Sequence, residues 1–285
     1  MAKWMLAHSN LVDAGAVQDG FWLDSLPLAN VQDEESGWVA RTPNLDLTST
    51  QLVVDVGPFH LARVVALKGH NLTRYARYRI TSSSVSNFAE AGIDTGWLDV
   101  WPLVYPIGSL PWGAPNWWDG RYSDGEIGRQ TRLLTHILDE DSTDQFWRIE
   151  VDDQENPAGY FEVDRVYICP AWSSELNVSW GRALGLEDPS EIVTARSGHE
   201  YSDRQQIYRV ARVATDWLSD DEAWAQAFEI QRQAGLTRDV IFIWDQAVDP
   251  HFIRRTFVAR QRKLDLITNP FVAMNKTGWE FKERP

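Results

Sequence analysis

The sequence predicts a mainly β protein in two parts: a β-sandwich over residues 1–170, then a β-barrel or sandwich over residues 171–285 with one α-helix inserted between strands. Three observations predict it. Apolar and polar residues alternate, or β-branched residues run together, in short segments bounded by turn formers. Gly, Pro, Asn and Ser punctuate those segments as hairpins and corners require. Only one stretch, from Ser219 to Gly235, carries the start and stop signals of a helix. A chain of 285 residues with 44% apolar and 24% charged content is long enough for two ordinary globular cores.

In the first part the strands read as Gln51 to Gly57, Ala62 to Leu67, Tyr75 to Ile80, Gln145 to Val151 and Tyr160 to Ile168. Pro58, Gly69 to Asn71, Ser82 to Ser86 and Asn156 to Gly159 separate them. Residues 20–48 and 102–130 resist assignment, and loops of that length inside a compact domain are functional or held by a partner. A boundary falls between Pro170 and Asp188, where the last sandwich strand gives way to Gly181, Gly185 and Pro189.

Beyond the boundary, Tyr201 to Thr215 reads as a strand. In the helix that follows, Ser219 and Glu222 form a capping box, the serine oxygen accepting from the third helical N–H while Glu222 returns to the cap. Trp224, Ala227, Phe228, Gln231 and Ala234 recur at spacings of three and four, which predicts that Trp224 and Phe228 pack on a sheet. Gly235 ends the helix. Strands follow at Asp239 to Trp244, Ile253 to Ala259, Lys263 to Thr268 and Gly278 to Lys282.

Charge narrows the partners. The net charge is −14, and residues 1–170 hold 12 Lys and Arg against 24 Asp and Glu. Such a surface repels a phosphate backbone, so no nucleic-acid partner is expected. The single cysteine, Cys169, excludes an intrachain disulfide and a multi-cysteine zinc site. No run approaches the length of a membrane span, and residues 1–10 lack the form of a signal peptide, so a soluble protein without membrane insertion is expected. The six histidines are scattered with no helical zinc spacing, and neither a nucleophile elbow, a P-loop nor a dinucleotide fingerprint occurs. No metal, no cofactor and no enzymatic activity are expected. The acidic runs at 139–144 and 152–156 read as solvated turns or as oxygen ligands for calcium, without the spacing of an EF-hand.

The most unusual segment runs from Leu110 to Tyr122. Trp112, Trp117, Trp118 and Tyr122 are interleaved there with Pro and Gly, in a chain holding 15 tryptophans. That composition fixes rings on an irregular loop. They are candidates for a protein contact or for a glycan platform, unless they fold back over the core. The local polar supply, Asn116, Asp119, Arg121 and Asp124, is not distinctive for sugar, so a protein partner is the favoured occupant.

Two resemblances follow. Leu52 to Gly57, Val64 to Asn71, Arg77 to Ile80, Phe146 to Val151 and Phe161 to Ile168 together resemble the discoidin-type, galactose-binding-like jelly roll. That implies a jelly roll over residues 1–170 whose end loops bind ligand in the family. The whole arrangement is similar to tail-tip proteins of long-tailed bacteriophages, the distal tail protein among them. This second likeness rests on Ser197 to Tyr201, Arg209 to Arg212, the capped helix at 219–235, Asp239 to Trp244 and Trp279 to Phe281. It implies a tail-tube-like barrel assembling as a homo-oligomeric ring, a hexamer or else a trimer. The ring would be a structural part of the virion's tail tip, built in the host bacterial cytoplasm and joined to other phage tail proteins. Here the accessory domain comes first in the chain, whereas many distal tail proteins place it after the ring domain. The alternative reading is a carbohydrate-binding module or adhesin whose loop tryptophans bind a host or environmental glycan.

Overall fold

The structure, a computed structural model, describes residues 3–35 and 37–285. Two units emerge. One comprises Asn10–Ala171 with Ala247–Arg254, and the other the N-terminal residues through Ser9 with Trp172–Gln246 and Arg255–Pro285.

The first unit is a sandwich of two antiparallel sheets. The larger runs in the order Ala16–Gln18, Gln51–Asp55, Phe146–Asp152, Arg77–Ser83 and Ala91–Asp94, with Leu98–Asp99 also paired to Arg77–Ser83. The smaller is Arg165–Cys169, Ala62–Lys68 and Leu133–Ser142. Alternation explains why they pack: in Phe146–Asp152 the residues Trp147, Ile149 and Val151 are buried while their neighbours are only partly so. Register then lines up Leu52, Ile149 and Ile80 across three strands. These residues meet Val65, Leu67, Leu134, Val166 and Ile168 of the other sheet in one core. The two unassigned segments are tied down by a few apolar anchors. Leu28 and Val31 come from the 3₁₀ turn Leu28–Gln32, and Ile127 from the short helix Asp124–Ile127, whose own capping box joins Ser123 and Glu126.

Register also sorts the loops. Lys68 pairs with both Leu133 and Arg165, and Arg77 with Asp152, so loops 69–76, 100–132 and 153–161 gather at one end. The chain leaves at the other end, because Cys169 pairs with Val64.

The second unit is an open sheet ordered Ala171–Trp172, Met5–Ala7, Val240–Ile243, Thr256–Leu264, Met274–Glu283, Tyr208–Leu218 and Ala183–Glu187, with Thr268–Phe271 added beside Met274–Glu283. Of the barrel or sandwich expected from sequence, the barrel does not form among the described residues, since the two end strands do not pair with each other. The N-terminal residues belong here rather than to the sandwich, because Met5, Leu6 and Ala7 pair with Ile243, Phe242 and Ile241. Trp4, Phe242, Phe257, Trp279 and Phe281 form an aromatic layer under the helix.

The cap is as expected: the Glu222 amide donates to Ser219 Oγ and the Ser219 amide to a Glu222 carboxylate oxygen, both at 3.2 Å. The buried face is not. Trp224 and Phe228 are 52% and 45% exposed and pack on each other outside the core, whereas Ala223, Ala227, Ile230, Gln231 and Ala234 are buried. The helix begins as a π-helical run, Glu222–Ala227, and continues as the α-helix Phe228–Ala234. Its inner stripe is turned by one residue from the one with the largest rings. The alanines allow the backbone to approach the sheet closely, which two bulky rings would prevent. Ile230→Ala is therefore expected to cost about 2–5 kcal/mol, Ser219→Ala about 1 kcal/mol and Phe228→Ala about 1 kcal/mol or less. A denaturant series that ranks Phe228→Ala worst would contradict this placement.

Candidate functional site

The tryptophan loop lies at the end of the sandwich where loops 69–76 and 153–161 also meet. Its path is a chain of short turns: Ala114 N–H donates to Pro111 O, Trp117 N–H to Ala114 O, and Gly120 N–H to Asn116 O. Val104 and Tyr105 amides both donate to Gly120 O, stapling the loop to the sandwich. Gly120 has φ +60°, and a Cβ there would lie 2.7 Å from Tyr105 O, so no other residue fits without strain.

On this frame Trp117 is a wedge. It meets Trp112 and Trp118 edge-on, each at 4.6 Å between centroids, and Trp112 and Trp118 stand 6.4 Å apart at 61°. Trp112 and Trp118 are 81% and 86% exposed. Tyr122, grouped with them on sequence, is a core residue instead. Its ring packs edge-on to Trp101 and Tyr105, and its hydroxyl donates to Asp249 O at 2.8 Å. A phenol with that partner gains more from burial than from the surface, and burial raises its pKa.

A polar cluster forms at the base of the same loop. Asp119, next to Trp118 in the chain, accepts from Arg74 Nη2 at 2.5 Å and from Tyr75 Oη at 3.3 Å. Arg121 donates to Asp99 at 2.8 Å and to Trp101 O at 3.0 Å. The guanidiniums of Arg74 and Arg121 both lie within cation–π reach of the exposed Tyr75 ring. Sequence proximity had nominated Asn116, Asp119, Arg121 and Asp124. Asn116 is buried and spends its amide on Arg121 O, and Asp124 begins the short helix. Arg74 and Tyr75, the latter read from sequence only as the start of a strand, carry no local signal for this loop, because they sit 45 and 44 residues from Asp119.

His70 supports this end from below. Its ring is 2% exposed, lies 5.7 Å from Trp101, and accepts from the Leu72 amide at 3.3 Å. Burial, reinforced by the Arg132 charge, lowers it to about 3. A histidine depressed in the folded state keeps its contribution above the unfolded pKa near 6.5 and loses it as pH falls toward the folded value. The sandwich should thus lose roughly 2 kcal/mol between pH 7 and pH 5 through this group. In a pH series of urea melts, His70→Asn should flatten that loss, and an unchanged slope would rule His70 out as its source.

The other candidates are not assembled into a site. Among the described residues no group of three or more His, Cys, Asp or Glu is placed to hold a metal ion. No helix is long and apolar enough to cross a membrane. In the 152–156 run, Asp153 is buried and accepts from Thr73 and Asn156, which makes it a turn anchor. Cys169 is buried at a strand end.

No protein-family profile and no curated protein matches the chain. Among solved structures it is similar to a Ruminococcus gnavus GH29 fucosidase in complex with fucose, at 12% identity and TM-score 0.37, over 59% of this chain and 27% of that one. It is also similar to CBM32-1 from a family 31 glycoside hydrolase of Clostridium perfringens, at 9% identity and TM-score 0.37, over 57% of this chain and 99% of that one. A third is the family 32 carbohydrate-binding module of C. perfringens NanJ in complex with galactose, at 11% identity and TM-score 0.37, over 59% and 99%. The chain thus spans about a quarter of the fucosidase.

Proposed function

We propose that the sandwich unit is a carbohydrate-binding module and that its glycan lies on Trp112 and Trp118. One observation carries the reading: two indoles more than four-fifths exposed are held at a fixed angle by a third, on a loop whose next residue after Trp118, Asp119, is ordered by Arg74 and Tyr75. Sugar rings present apolar C–H faces that stack on indole, and their hydroxyls need donors and acceptors already in place. Arg74 and Tyr75 join Asp119 and Arg121 in the polar supply of this loop, which favours a glycan over a protein as its occupant. The role is binding, with no catalysis assigned. The test is a glycan array probed with the full chain, followed by tryptophan fluorescence titration of each hit. Retention of no glycan would refute the reading.

A second reading concerns the other unit, where Glu191–Thr194 and Glu200–Asp203 form a two-stranded hairpin. Every residue of both strands is exposed, including Ile192, Val193 and Tyr201. Ile192 and Val193 are adjacent in one strand and so face opposite sides. An isolated two-stranded sheet is marginal in water, and covering it favours self-association. We propose that the chain self-associates through this hairpin, as the homo-oligomeric ring of a phage tail tip would require. A strictly monomeric chain by light scattering at high concentration would count against it.

A further inference from the structure

The sandwich has an open side. Ala91–Asp94 ends the larger sheet and Leu133–Ser142 ends the smaller one, so each is an edge strand whose outer side pairs with no other strand among the described residues. Between them lies a groove of about 750 Å³, lined by segments 92–95 and 136–144 together with Leu98. Its floor is apolar, through Ile93, Leu98 and Leu138. Its rim is acidic. Asp94 is neutralised by two hydrogen bonds from Arg79, and Arg63 lies 3.8 Å from Asp141. Asp139 and Glu140 are exposed and have no ion-pair partner among the described residues. His136 adds no positive charge, because burial holds it below the ordinary imidazole range while Nδ1 sits 3.0 Å from the Tyr78 hydroxyl. Leu133–Ile137 pairs regularly with Lys68–Val64, and the next pairing is Ser142 with Ala62, so residues 138–141 bulge out of the ladder and carry the acidic tip.

We infer that this groove takes an extended, lysine- or arginine-bearing peptide of a partner protein, added as a further strand along the Leu133–Ser142 edge. Three features point to that occupant. A free strand edge offers main-chain donors and acceptors at strand spacing, the interaction by which extended peptides add to sheets. Alternate side chains of an added strand point to opposite sides, so one set meets the apolar floor and the other the rim. The lining charges without an ion pair among the described residues, Asp139, Glu140 and Asp144, are all negative and select cations. This site is separate from the tryptophan loop, and neither reading depends on the other.

The probe is a labelled, end-capped nonapeptide alternating lysine and valine, titrated into the full chain by fluorescence anisotropy. The expected result is saturable binding that weakens with salt. A glutamate–valine peptide, and a lysine–valine peptide N-methylated at alternate residues, should each bind at least about tenfold more weakly. Asp139→Asn with Glu140→Gln, both exposed and neutral to the fold, should weaken binding about tenfold and reduce its salt dependence. Amide exchange over 136–142 should slow on binding. Unchanged affinity for the N-methylated peptide, or no slowed exchange there, would overturn strand addition. Absence of binding at millimolar peptide would overturn the proposal outright and leave Asp139 and Glu140 as charges that guard a sheet edge against aggregation.

Discussion

Replacing Trp112 and Trp118 together by alanine is expected to lower affinity for the glycan identified on the wild-type chain by at least about 100-fold. Each indole is an exposed aromatic anchor of the type whose truncation costs about 2 kcal/mol or more, and the two act on one ligand, so their effects need not add. Both are more than four-fifths exposed, and the variant should therefore melt within a few degrees of the parent. Trp117→Ala separates position from contact. Trp117 holds both neighbouring rings at 4.6 Å, so its loss should weaken binding by freeing them, even where it does not touch sugar. Asp119→Asn keeps the shape but removes the ion pair with Arg74, and about tenfold weaker binding is expected. Isothermal titration with the array hit compares the three variants with the parent. Full retention of binding by the double variant would move the glycan elsewhere, and restore a protein as the natural occupant of the loop.

The second large effect is in the other unit. Glu283→Ala is expected to destabilise it by about 3–5 kcal/mol. Arg209 and Glu283 have side chains only 6% exposed. The arginine Nε and its own backbone N–H both donate to Glu283 Oε2 at 2.8 Å, while Nη2 pairs with Oε1. Removing the carboxylate leaves a guanidinium beneath Phe257 in a place it cannot hydrate. Replacing Arg209 by Met and Glu283 by Leu together should recover most of the loss, because the cost lies in the stranded charge rather than in the pair. Urea melts of the three chains decide it. If the single and the double variant lose equally, packing rather than the buried charge sets the penalty.

How much of this was legible depended on whether the signal was local. The sandwich strands were, because period-two burial at Leu52, Val54, Trp147, Ile149 and Val151 is written in the residues themselves. So was the helix start, since a capping box involves residues three apart. The helix face was not. A stripe of Ala223, Ala227, Ile230 and Ala234 has little hydrophobic weight beside Trp224 and Phe228, and only the closeness of the sheet favours it. Nor was the short strand Met5–Ala7, three residues with no period of its own, whose burial comes wholly from pairing with Val240–Ile243. In the site, the aromatic loop stood out by composition, yet Tyr122 and the three tryptophans looked alike until packing separated them. A single carbonyl, that of Asp249, drew the phenol inward.

The sequence by itself determined that this is a mainly β protein in two parts, with a capped helix beginning at Ser219 and an aromatic loop, because alternation, caps and turn residues act over a few neighbours. Tertiary structure alone decided the rest: which rings face water, that Arg74 and Tyr75 stand beside Asp119, that the second sheet stays open, and that two strand edges flank an acidic groove. Those features arise between residues distant in the chain, where register and close packing choose among faces that local preference leaves equal.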